Sequence, residues 1–176
     1  MLVTVVASVM SVGEDELFKA LLLGKETALQ DGRTYIVKER KPKRARDRFD
    51  RLLAQGYRGL YITRQHPDNV GKAKLPNVRL IWLSTTLGTD YMDPHNLGSL
   101  TSLIRSSVEQ PGPLVILLDG LEYLMINNEF PRILNFMELL NEIVSQRQAI
   151  LLFSVDDRAF EERELALLER NAIPLE

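Results

Sequence analysis

Cysteine is absent from all 176 residues. That excludes disulfides, cysteine-ligated zinc and thiol catalysis. Histidine occurs only twice, so a multi-histidine metal site is not expected, and neither is any cofactor. A dominant charge sign is also missing. The 22 Lys and Arg residues stand against 24 Asp and Glu, a formal net charge of -2. No overall basic excess points to nucleic acid. The apolar run at residues 2–10 is far shorter than the ~20 residues that cross a bilayer. It has no basic n-region of a signal peptide either, the first Lys or Arg being Lys19. We read it as a buried strand, and expect a cytoplasmic protein with no membrane contact.

What is present is ordinary for one globular domain: 45% hydrophobic and 26% charged residues. Strands are expected at Leu2–Val9, Thr34–Val37, Gly59–Thr63, Val78–Ser84, Leu114–Asp119 and Ala149–Val155. Several are continuous Val, Ile and Leu runs, the mark of strands covered on both faces as in a parallel sheet. Helical spacing fills the gaps. Residues 14–23 carry Leu17, Ala20, Leu21 and Leu23, and 43–55 carry Ala45, Phe49, Leu52 and Leu53. Residues 94–109 start at Pro94 behind Asp93 as N-cap. The wide stripe Ile133, Phe136, Met137, Leu140, Ile143 and Val144 marks 131–146, and Phe160, Leu165, Leu167 and Leu168 mark 157–170.

Alternating strands and helices predict an α/β fold, a three-layer sandwich around a mostly parallel sheet of five or six strands. Leu114–Asp119, the most apolar run, belongs in the middle. The chain divides into a strand–helix extension at 1–32, the main domain at 33–171 and a tail at 172–176.

In such a sheet ligands bind beyond the carboxyl ends of the strands. The residues at those ends are polar. Arg64 and His66 follow the third run and Ser84 the fourth. Asp119 and Glu122 end the fifth, Ser154 and Asp156 the sixth. These seven are the candidate pocket. Loop solvation alone also makes such residues polar. Leu114–Asp119 matches the aspartate-tipped strand that places magnesium in nucleotide hydrolases. Its partner, the Gly-rich loop with Lys and Ser or Thr, is missing. Gly24-Lys25 and Gly71-Lys72 continue with Glu26 and Ala73. Residues 38–51 hold eight cations against Glu39, Asp47 and Asp50. This is the only hint of nucleic acid, and a solvated helix face explains it better, since no aromatic residue interleaves.

Gly59-Leu60-Tyr61-Ile62-Thr63-Arg64 with Pro67 and Val70, then Trp82-Leu83-Ser84, come in a recognisable order. So do Pro94-His95-Asn96-Leu97, Leu118-Asp119-Gly120-Leu121-Glu122-Tyr123-Leu124, Asn127-Asn128 with Phe130, and Leu167-Leu168-Glu169-Arg170. Over residues 33–171 the chain resembles the mainly archaeal domain of unknown function 835. That family looks like a relative of the RecA and KaiC type of P-loop ATPase with a degenerate phosphate loop. The resemblance implies a P-loop NTPase-like fold without the P-loop. It would put Gly59–Thr63 at the P-loop strand, Arg64–Val70 in place of the loop and Asp119 at the metal-binding aspartate. It also implies, loosely, a signalling role with a protein partner or a second copy of the chain. The expected function is a non-catalytic binding or assembly module. The alternative is a small-ligand or nucleotide-binding enzyme working at the strand ends.

Overall fold

The computed structural model describes residues 28–70 and 77–176. The strand and helix expected within residues 1–23 lie outside them. Seven strands form one sheet in the order β4-β3-β2-β5-β6-β1-β7, and every pairing is parallel. They are β1 (Arg33–Lys38), β2 (Arg58–Thr63), β3 (Val78–Leu83), β4 (Tyr91–Met92), β5 (Leu114–Asp119), β6 (Ala149–Val155) and β7 (Ile173–Leu175). The helices are α1 (Lys43–Ala54), α2 (Leu97–Glu109), α3 (Leu121–Ile126), α4 (Phe130–Ser145) and α5 (Glu162–Arg170). The fold is thus α/β with a parallel sheet, as expected, and seven strands lie among the described residues.

Two strands were not expected. β4 is two residues long and carries no pattern. β7 lies in the stretch set apart as a tail and contains Pro174, which pairs beside Ile36 at the sheet edge. Proline is tolerated there because an edge strand needs hydrogen bonds on one side only.

β5 takes the middle position. All six of its residues are buried, as are all seven of β6. Alternate side chains feed opposite layers. Leu114, Ile116 and Leu118 join Ile62, Leu151, Phe153 and Leu140 under α2, α3, α4 and α5. Val115 and Leu117 join Tyr61, Leu152, Phe49 and Ala45 under α1. A run that is apolar at every position is therefore what a strand between two helical layers needs.

Two helix starts differ from the expectation. Asp93 does not cap α2. Its carboxylate accepts the N–H of His95 in a tight turn, and Asn96 caps the helix by accepting from Ser99 N at 2.9 Å. After β6, Asp157–Ala159 makes a single 3-10 turn. Phe160 is extended, so α5 starts at Glu162, with a capping box between Glu161 and Glu164.

The chain runs outward from β2 to β3 and β4, returns through α2, and runs the other way from β5 to β6. The direction of winding reverses between β2 and β5. That reversal opens a crevice at the carboxyl ends of these two strands.

Candidate functional site

A cleft of about 720 Å³ lies at this point, lined by Arg40, Lys41, Pro42, Lys43, Arg64, Gln65, His66, Asn69 and Asp119. Three pieces of chain build it: the end of β5, the segment after β2, and the turn joining β1 to α1. Of the seven candidates read from the sequence, it gathers Arg64, His66 and Asp119. Ser84, Glu122, Ser154 and Asp156 do not line it.

Asp119, the last residue of β5, is 7% exposed. Its Oδ2 accepts from Thr63 Oγ1 at 3.0 Å, Gln65 Nε2 at 3.2 Å and Tyr61 OH at 3.5 Å. The Thr63 hydroxyl in turn accepts from Gln65 N at 3.0 Å, and Arg64 N donates to the Asp119 carbonyl at 3.2 Å. These bonds lock the β2 segment onto the tip of β5. Burial pushes the Asp119 carboxyl above its usual range, against the pull of the Thr63 hydroxyl and the Arg64 charge. Tyr61 is pushed up to about 12, by burial first and then by the Asp119 charge. It therefore stays protonated and can donate.

The four other candidates are bonded elsewhere. Ser84 Oγ accepts from Thr86 N at 3.1 Å. Glu122, raised chiefly by burial, accepts the N–H of Asp156. Ser154 Oγ donates to Glu39 at 3.0 Å. The Asp156 carboxylate is gripped by Arg158 at 2.8 and 2.6 Å.

Glu39, which the sequence gave no reason to single out, sits beside the cleft at the head of α1. Its carboxylate accepts Arg44 N at 2.7 Å and Ala45 N at 3.0 Å. The N-cap position of this helix is Pro42, which has no side chain to offer. Glu39 thus supplies the negative charge that a helix N-terminus favours. Strand, turn and helix succeed one another here, after β1. After β2 the described residues make only the 3-10 turn Pro67–Asn69.

Arg40, Lys41 and Lys43 were counted within the basic stretch 38–51 as part of a solvated face. They line the cleft because β1 returns to the sheet beside β6, which brings its exit turn opposite Arg64. No short-range pattern signals that approach. On the other wall, His66 meets the Trp82 ring edge-on at 4.7 Å, and Trp82 meets Tyr91 edge-on at 4.9 Å. Among the described residues, no group of three or more His, Asp or Glu side chains is placed to hold a metal ion. No described helix is long and apolar enough to cross a membrane.

The model of the family described as protein of unknown function (DUF835) matches residues 38–171. The chain belongs to the DUF835 family. No curated protein matches this DUF835 chain. A solved structure from Pyrococcus horikoshii OT3 is similar at 16% identity with a TM-score of 0.56, covering 82% of this chain and 80% of that one. At that identity the likeness shows the fold alone.

Proposed function

We propose that this chain is a non-catalytic α/β binding module whose site is the cleft at the carboxyl ends of β1, β2 and β5. The observation that carries the reading is the occupied head of α1. A nucleotide hydrolase needs free backbone N–H groups to cradle phosphates and a carboxylate free to hold magnesium. Here the first-turn amides of Arg44 and Ala45 are taken by Glu39. One oxygen of Asp119, Oδ2, is taken by three neutral donors, and burial disfavours the charge a metal would need. What remains accessible in the cleft is suited to holding a ligand. The further placement, in archaeal signalling with a protein partner or a second copy, is supported by the family resemblance only.

The second reading is a small-ligand enzyme at the same place. His66 and Asp119 both line the cleft, and that favours it. Turnover of ATP with magnesium separates the two. The purified chain is expected to release no phosphate above a protein-free blank. Release that disappears in Asp119→Asn, with circular dichroism unchanged, would overturn the binding-module reading.

A further inference from the structure

Several cations of this protein are satisfied by carboxylates. Lys38 pairs with Glu169 at 2.7 Å, Arg79 with Asp90 at 2.8 Å and Arg158 with Asp156 at 2.6 Å. Arg40, Lys41, Lys43 and Arg64 form no such pair among the described residues. Yet these four converge on one cleft, three from the turn after β1 and one from the segment after β2. Like charges drawn together in a partly walled space repel more strongly than in open water. The one carboxylate lining the cleft, Asp119, is 7% exposed, and its Oδ2 is held by Thr63, Gln65 and Tyr61. The cleft therefore sets four cations against a single lining carboxylate, and the charges of Asp119 on Arg64 and of Asp156 on Arg40 offset them only in part.

Resting on the binding-module reading above, we infer that the cleft takes a small ligand bearing a phosphate or diphosphate group, held by Arg40, Lys41, Lys43 and Arg64. A phosphate carries up to two charges on three oxygens and matches a mixed set of guanidinium forks and ammonium points. The volume of about 720 Å³ lies within the ~300–1,000 Å³ of small-molecule sites. A single strand of nucleic acid instead needs a groove that tracks several nucleotides. Because Glu39 already fills the head of α1, the phosphate is gripped by side chains and not by helix amides. Magnesium then competes with those side chains for the same oxygens, so it weakens binding. In a nucleotide hydrolase the metal bridges phosphate and protein and strengthens it.

The sole tryptophan supplies a probe. Trp82 touches His66, a wall of the cleft, and donates through Nε1 to the Arg64 carbonyl at 3.1 Å. Inorganic pyrophosphate is titrated into the full chain, followed by calorimetry and by Trp82 fluorescence, without and with magnesium. The same is done with citrate and with an oligothymidylate. The expected result is saturable one-to-one binding of pyrophosphate, weaker with magnesium. Arg64→Gln and Lys43→Gln should each weaken it about tenfold. Arg147→Gln, on the α4–β6 turn at the opposite end of the sheet, should leave it unchanged. Three results overturn the inference: no saturation at millimolar pyrophosphate, equal binding by all the variants, or tighter binding of the oligothymidylate. If citrate binds in an Arg64-dependent way and pyrophosphate does not, the phosphate class is wrong while the binding-module reading stands. Thermal melts of each variant show that the loss is not one of folding.

Discussion

The side chain of Glu39 is 7% exposed and joins three parts of the molecule: the first turn of α1 through Arg44 and Ala45, the end of β6 through Ser154, and its own turn after β1. Burying a charge costs free energy unless hydrogen bonds replace the lost water. Two backbone donors, a hydroxyl and the helix dipole do so here. Glu39→Ala would leave those donors facing a hole. It should lower stability by about 2–3 kcal/mol in urea unfolding. Glu39→Gln keeps one acceptor oxygen and should fall between. An alanine variant as stable as the parent would show that water caps the helix equally well. Asp119 was visible in the sequence because it tips an apolar strand. Glu39 was not, because cap rules look at the residue next to the helix, and that residue is Pro42.

Between elements, α1 packs tightly on β2. α1 turns Ala45, Phe49 and Leu52 to the sheet. A Cβ at Gly59 would lie 2.8 Å from Phe49 Cζ and 2.9 Å from both Leu53 Cδ2 and Val78 Cγ2. Glycine is there for space. Phe49 is 1% exposed and has nowhere to retreat. Gly59→Ala should therefore cost about 1–3 kcal/mol through overpacking. Adding Phe49→Leu, which clears the ring tip, should recover part of that loss. A double-mutant cycle reads the coupling. Additive losses would mean that the methyl group is accommodated elsewhere. This packing also positions the cleft, since α1 begins at Lys43 and β2 leads into Arg64.

At the scale of the whole molecule, four shifted carboxyl groups fall into two pairs with opposite pH behaviour. Asp119 and Glu122 are both pushed up, chiefly by burial. Their folded values exceed the unfolded ones, so their contribution is complete in acid and is lost as pH rises through the raised values. Asp156 is pushed down to about 2, mainly by its hydrogen bond with Arg158, and Asp93 is lowered by His95. Their contribution is present above the ordinary carboxylate range and is lost as pH falls below it. Stability should therefore rise on mild acidification from neutral pH and fall in stronger acid. Asp119→Asn should reduce the mild-acid rise, because an amide cannot titrate. Melting temperatures measured across pH test this. A steady fall from neutral pH downward in the parent protein would refute the assignment of Asp119 and Glu122.

What the sequence determined by itself was the layered α/β plan. Leu114–Asp119 and Ala149–Val155 are apolar at every position, and only a strand between two helical layers can bury such a run. The stripe Ile133, Phe136, Met137 and Leu140 likewise marks a helix face before any fold is known, because burial imposes its period locally. Arg64, His66 and Asp119 were legible as strand tips for the same local reason. Which tips meet was not. β1 lies between β6 and β7, next to strands more than 100 residues later in the chain, and that alone sets Arg40, Lys41 and Lys43 across from Arg64. Local spacing cannot encode such a neighbour. Strand order follows from how the helices pack on the two faces and from the closing of long crossovers, which are properties of the assembled molecule.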